Sequence, residues 1–418
     1  MACTGCAAGV TGDPDRVSHD GVSLLGQVVS DAGGEVEYWV QYGPTQAYGS
    51  QSEHQMGDFQ PNAPRQVRVD IHGLERSTAY HYRFCAQDGA QEGGPGCGED
   101  RTFKTQTFAC GETVTASVRF TGNVQCPDSG LGMPAIVVGA PGIEIDMNGF
   151  ELRSGPYAFD AAPGIDNRGG FSDVTIRDGS ISGTAPDLYR AGVLLDGASR
   201  NRILHVKVWS GGSGFDIRGG ADNEVRHADL LGFNGVIGQD TARLVVADSK
   251  VKSLRDGIRF SGVSDGRIVR NVLDGEGTSL CCIAFGIRVD GDRNVIKENG
   301  VTRWIGANVL VASGADNKLL ENTVGGARWP TDPPQQDYFG DGIFVGAFPT
   351  GTVLRGNVAN DGLGDGIDVQ NSTSRLTQNS ANDNADFGID AVVGVSDGGG
   401  NTASGNRGAL QCRNVFCP

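Results

Sequence analysis

GIRFSG at residues 257–262 and GIRVDG at 286–291 are two copies of one short apolar strand opened by glycine. Copies continue in both directions: GIEIDMNG (142–149), GIDNRGG (164–170), GVLLDG (192–197), GFDIRGG (214–220), GVIGQD (235–240), NVLVAS (308–313), GIFVGA (342–347), GIDVQN (366–371) and GIDAVV (388–393). From opening residue to opening residue the intervals are 22, 28, 22, 21, 22, 29, 22, 34, 24 and 22, a basal period of about 22. Such a period means stacked units, each burying its apolar side against its neighbours. The expected chemistry therefore lies on one face of a long scaffold.

Composition agrees. Glycine supplies 66 of 418 residues and aromatics 7%, and no window sustains a helical period, which favours short strands and tight turns. The net charge of −16 is uneven. Residues 1–150 carry 8 basic and 18 acidic side chains, 151–330 carry 22 of each, and 331–418 carry 4 and 10. Without a basic excess, nucleic acid is not an expected partner. No run of 18 apolar residues offers a membrane span.

Ten cysteines fall into close pairs, Cys3–Cys6, Cys85–Cys97, Cys110–Cys126, Cys281–Cys282 and Cys412–Cys417. An even count with few histidines predicts disulfides and an oxidising compartment, hence a secreted protein whose signal peptide does not precede Met1 here, and a monomer is expected. Vicinal Cys281 and Cys282 can close a ring on themselves or pair elsewhere.

Residues 17–106, after an N-terminal segment 1–16, alternate strand-like runs with turn residues at sandwich spacing. Leu74, Thr78, Tyr80, Tyr82, Thr102, Phe103 and Thr105 resemble the fibronectin type III pattern, which implies a β-sandwich with a tyrosine pinning one corner. His72 and His81 are read as structural residues of its strands.

Residues 107–418 resemble the right-handed parallel β-helix proteins of the pectate-lyase-like group, particularly the NosD type. The resemblance implies an all-β solenoid of about 11 coils, each giving three strands to three parallel sheets. His205, His227, Asp248, Asn271, Asn299, Asn322, Asn357 and Asn379 fall at one register in successive coils, which resembles the internal asparagine ladder of such folds. The two histidines are then its first rungs, as turn-capping residues.

The three long intervals carry their extra residues just before a glycine strand, so the insertions project from one edge. If the residue after each glycine faces the core (Ile143, Val193, Phe215, Ile258, Ile287, Ile343, Ile367, Ile389), the next faces out. The outward stack is then Glu144, Leu194, Asp216, Ile237, Arg259, Arg288, Leu310, Phe344, Asp368 and Asp390, with Asp196, Arg218, Gln239, Asp290 and Gln370 two residues on.

Arg259 and Arg288, one coil apart, stand about 4.8 Å from each other and call for an anion such as a sugar carboxylate. The bland alternative pairs Arg259 with Asp256 and Arg288 with Asp290. Asp341 and Asp365 each precede a glycine one coil apart, with Asp368 outward. Stacked carboxylates raise one another's pKa, which suits a general acid, or else share a calcium ion through Asp341, Asp365 and Asp368. No other cofactor is called for.

YFGD at 338–341 is similar to the tyrosine-x-x-aspartate core of β-helix mannuronan C5-epimerases, which implies catalytic roles for Tyr338 and Asp341 with Asp365 one coil later, and Arg288 is expected to neutralise the substrate carboxylate. Gly342 and Ile343 stand where that family has its histidine, and the paired DD and GHG motifs of polygalacturonases are absent. Arg259, Asp216, Arg218, Asp290, Asp368, Arg328, Trp329 and Phe344 are expected to bind substrate. The expected function is action on an extracellular, uronic-acid-containing polysaccharide, as lyase, epimerase or glycoside hydrolase. The rival is a non-catalytic polysaccharide binder or adhesin, in which aromatics stack on sugars and aspartates before glycine merely shape turns.

Overall fold

The structure, a computed structural model, describes residues 6–89, 94–126, 133–154, 162–183, 191–275, 283–329 and 339–418. The chain divides into two compact units, Met1–Ala109 with Phe120–Gln125, and Cys110–Arg119 with Cys126–Pro418.

In the first unit, antiparallel strands Ala7–Val17, Gly21–Ser30 and Arg65–His72 pair in that order, and Gly34–Gly43 pairs with Ala79–Asp88. Period-two alternation drives this. In Arg65–His72 the side chains of Val67, Val69 and Ile71 are buried and those between them exposed. They join Leu24, Val40, Tyr82 and Phe84 in one core. The Tyr80 hydroxyl accepts the Glu75 N–H at 3.0 Å, so a tyrosine does pin the corner ahead of its strand.

The strand Ala7–Val17 starts well before the expected boundary at residue 17. It passes through Gly12, Asp13 and Pro14 with register shifts around Pro14, where the missing N–H interrupts the ladder without ending it.

The second unit repeats strands in threes, all parallel. Sheet I contains Ile258–Ser261, Ile287–Asp290, Val309–Ser313, Ile343–Val345, Ile367–Val369 and Ile389–Ala391. Sheet II contains Arg267–Val269, Val295–Lys297, Lys318–Leu320 and Val353–Arg355. Sheet III contains Val272–Asp274, Gly300–Thr302, Thr323–Gly325 and Val358–Asn360. This is a parallel β-helix. The three-residue strands of sheets II and III send one side chain inward, such as Ile296 or Val301, while sheet I sends two, such as Ile287 and Val289, all fully buried.

The opening glycines have a steric cause. A Cβ on Gly235 would stand 2.2 Å from the Gly257 carbonyl oxygen, and one on Gly286 would stand 2.6 Å from that of Asn308. Any side chain there would push coils apart, as backbone packs on backbone at this corner.

At the turn from sheet II to sheet III, Asn271, Asn299, Asn322, Asn357 and Asn379 are buried. Each Oδ1 from Asn299 onward accepts both the N–H and the Nδ2 of the asparagine one coil before, at 2.9 to 3.1 Å. The ladder continues to Asn401.

His205, His227 and Asp248 are not its rungs, contrary to expectation. They have positive φ, as do Arg270, Glu298 and Glu321, and all stand one residue ahead of the ladder. Ser249 is the rung before Asn271. The two imidazoles stack outside at 4.9 Å. A one-residue slip of register moves a side chain to the other face.

The insertions fall between sheets III and I, and their residues 184–190, 276–282 and 330–338 lie outside the described residues. Disulfides Cys85–Cys97, Cys110–Cys126 and Cys412–Cys417 form as expected. Cys6 is disulfide-bonded, while Cys3, Cys281 and Cys282 lie outside the described residues. No helix among the described residues is long and apolar enough to cross a membrane.

Candidate functional site

The outer face of sheet I carries a column fixed by strand register: Asp166, Leu194, Asp216, Ile237, Arg259, Arg288, Leu310, Phe344, Asp368, Asp390 and finally Arg413. Its neighbours along each strand, Ile165, Val193, Phe215, Val236, Ile258, Ile287, Val309, Ile343, Ile367 and Ile389, are fully buried. Glu144, expected at the head of this column, is not in it. Its strand Glu144–Asp146 pairs with Thr175–Gly183 in sheet II, and Asp166 takes the place on sheet I. The first glycine copy mimics the pattern at another corner of the coil.

A cleft of about 780 Å³ lies along this face, lined by Arg255, Asp256, Arg259, Ile283, Phe285, Arg288, Leu310, Ala312, Phe344, Gly346, Ala347, Phe348 and Gln370. That volume suits a small-molecule or sugar site. Three guanidinium groups and one carboxylate line it. Burial holds the Asp256 carboxyl above its ordinary pKa, against the pull of Arg259. Among the described residues the buried Arg259 Nε has no hydrogen-bond partner, and Asp256 Oδ2 stands 3.9 Å from its Nη1. Arg288 donates from Nε to Asp290 Oδ2 at 3.0 Å. Both anticipated ion pairs exist, but the Arg259 pair is loose and leaves a cationic site.

Asp341 and Asp365 do not line this cleft with the arginines. They belong to a second ladder, one residue before each opening glycine. Asn234 Oδ1 accepts the Asp256 N–H at 3.3 Å, and Asp256 Oδ1 the Phe285 N–H at 3.4 Å. Asp341 Oδ1 accepts the Asp365 N–H at 2.8 Å, and Asp365 Oδ1 the Phe387 N–H at 2.7 Å. Asp341 is 2% exposed, and its Oδ2 has no hydrogen-bond partner among the described residues. Burial, then the charges of Asp365 and Asp368, hold its pKa well above the usual carboxylate range. Burial also pushes the Asp365 carboxyl up to about 7, against its bond from Phe387.

Asp365, Asp368 and Asp390 form an acidic corner. Each offers an oxygen within 4.8 Å of the others, so among the described residues these three could hold a cation. Asp390 replaces Asp341 in the expected set, because Asp341 is turned into the ladder. Gln370 donates from Nε2 to Asp368 Oδ1 at 2.6 Å, and Arg413 pairs with Asp390. Gln370 thereby joins the acidic corner to the end of the cleft.

Of the other expected residues, Phe344 and Arg288 line the cleft. Asp216 and Arg218 are two coils or more away from its centre and pair with each other, with Arg218 Nε 3.0 Å from Asp216 Oδ1. Asp290 serves Arg288. Arg328 and Trp329 are exposed in the turn after sheet III, and Trp329 packs on Gly340 rather than in the cleft. Tyr338 lies outside the described residues. Arg255, Phe285 and Phe348 were not anticipated as site residues. Phe285 occupies the same pre-glycine position as Asp256 and Asp341, so the phase of the repeat could have found it. Phe348 follows its strand in a loop, where periodicity gives no signal.

This fold is a right-handed parallel β-helix preceded by a small β-domain. Residues 164–324 match the family described as "Right handed beta helix region". Comparison with curated proteins finds no match. Among solved structures, the chain is similar to the periplasmic alginate epimerase AlgG, at 15% identity over 68% of this chain and 76% of that one, with a TM-score of 0.50. It is also similar to an alginate lyase from Paenibacillus sp. FPU-7, at 15% identity over 71% and 98% with a TM-score of 0.42. A family 28 exopolygalacturonase from Yersinia enterocolitica has 10% identity over 98% of each chain and a TM-score of 0.35. At these identities the likeness is one of fold.

Proposed function

We propose that this protein is a secreted carbohydrate-active enzyme whose substrate, a uronic-acid-containing polysaccharide, lies along the outer face of sheet I. The observation that carries the reading is the arginine cleft, on a chain of net charge −16, in which the buried Arg259 Nε has no partner among the described residues. A buried donor without a partner costs about 1–3 kcal/mol, and a bound carboxylate would relieve that cost with a charge-assisted bond. AlgG, a protein of similar fold, is an epimerase of alginate, a polymer of that chemistry.

The chemistry is assigned to the acidic corner. A carboxyl whose pKa is about 7 keeps its proton near neutrality and can give it to a departing or reprotonated sugar atom. Asp365 is therefore the acid, with the Asp368 carboxyl beside it. Asp341, fully enclosed, holds Asp365 in place through its backbone. Alternatively a calcium ion would be held by Asp365, Asp368 and Asp390, in competition with Arg413 for Asp390, and an Asp365 that binds it carries no proton to give. A second reading, binding without turnover, is favoured by one observation: Asp341 and Asp365 already serve the turn ladder.

Incubation with alginate, pectate, chondroitin and neutral glycans separates these. Expected are binding confined to the acidic polymers and a product seen as unsaturated uronate, altered epimer content or new reducing ends. Arg259→Ala should weaken binding at least tenfold, about 1.4 kcal/mol. Asp365→Asn should remove turnover and leave binding within about twofold. Binding with no product in any assay establishes the second reading. Equal binding of neutral glycans overturns both.

A further inference from the structure

Leu310 and Phe344 stand on the outer column of sheet I, yet they are 6% and 8% exposed. With Phe285 and Ala307, and with Ile283 and Ala312 against them, they form an apolar cluster outside the helix interior. Most of this cluster lines the arginine cleft, and Phe348, 84% exposed, stands at its rim. The register sets the order along the cleft: Arg259, Arg288, Leu310, Phe344, one coil each. Cationic and apolar subsites are therefore adjacent, about 4.8 Å apart, the interstrand spacing.

A bare uronate ring presents hydroxyl groups around its edge, and a wall of leucine, phenylalanine and alanine satisfies none of them. A carboxylated sugar that also carries an ester-linked acetyl group fits both subsites. Its carboxylate faces Arg259 and Arg288, and its acetyl methyl rests on Leu310, Ala312 and Phe344. We propose that the cleft selects O-acetylated uronic-acid residues over unmodified ones. This rests on the acidic-polysaccharide reading and adds a specificity to it.

The test compares binding of alginate and of pectate before and after chemical O-acetylation, by titration calorimetry at fixed salt. Wild-type protein should bind the acetylated form about five- to tenfold more tightly, the scale of one or two buried carbon groups. Phe348→Ala, at an exposed rim position unable to disturb the core, and Leu310→Thr should each reduce that ratio toward one. The readout is the ratio of the two affinities within each variant, so a general loss of binding in either variant, which lowers both affinities alike, leaves the ratio at its wild-type value and counts against the proposal. Equal wild-type affinity for the two forms, with Arg259→Ala still weakening both, overturns the acetyl proposal and leaves the acidic reading intact. A preference that survives both substitutions also overturns it. Binding of neither form removes the acidic reading and this proposal together.

Discussion

Asp365 binds its proton more tightly in the folded chain, with a pKa of about 7, than an ordinary carboxyl does. The unfolded chain gives up the same proton near the ordinary value. Between the two values the folded state holds more protons, so stability falls as pH rises through that window and is level above it. Asp365→Asn keeps an oxygen for the Phe387 N–H and carries no charge, as Asn234 does at the equivalent place. It should stabilise the β-helix at pH 8 by on the order of 2 kcal/mol and make little difference near pH 4, measured by calorimetry at both pH values. A stabilisation independent of pH would mean the carboxyl is not protonated there. The residue pattern GDG at both 341 and 365 marked these aspartates in sequence. What sequence did not distinguish was a carboxyl in the ladder from one in the cleft, because both lie within two residues of the same glycine.

At the scale of the element, two ladders organise the turns. In the asparagine ladder, Asn357 accepts from the N–H and Nδ2 of Asn322 and donates to the Leu319 carbonyl, all in a buried turn. Asn357→Ala leaves those partners unsatisfied and should cost about 3 kcal/mol, seen as a lowered denaturation midpoint. Asn357→Asp should cost as much or more, since a buried charge replaces a donor. Wild-type stability in the alanine variant would show that the ladder is ornamental. A third series is electrostatic. At the turn from sheet I to sheet II, Asp173, Arg200, Asp222, Arg243, Asp265 and Arg293 alternate in sign, with bidentate pairs Arg200–Asp173, Arg243–Asp222 and Arg293–Asp265. These pairs are exposed and each contributes little, but alternation penalises any slip by one coil, which would set like charges together. The asparagine series was legible from its spacing. The histidines were misplaced by one residue because a left-handed turn residue and a ladder rung are adjacent in sequence and opposite in direction.

At the scale of the molecule, a parallel β-helix has two open ends, and an open edge strand recruits other chains. At the C-terminal end, Cys412–Arg413 pairs with Ile389–Ala391, and the disulfide to Cys417 holds that last strand. Arg413 at the same time covers Asp390. Cys412→Ser with Cys417→Ser should loosen the cap and increase self-association at high concentration, measured by light scattering. Unchanged scattering would place the protection of that edge elsewhere. Three breaks in a 22-residue period were enough to choose the edge of the solenoid that carries insertions, and the cleft does open on sheet I, which follows that edge.

The sequence by itself determined the repeat, the inward and outward faces of sheet I and the closeness of Arg259 and Arg288, while the three-strand coil came from the resemblance to parallel β-helix proteins. These follow from local rules: side chains alternate along a strand, and glycine is needed where backbone meets backbone. Tertiary structure decided which polar residues are in the cleft and which hold the turns. Burial of Asp341, the loose Asp256–Arg259 pair and the apolar wall of Leu310 and Phe344 depend on side chains from separate coils, and the same neighbours raise the Asp256 and Asp341 carboxyls by desolvation.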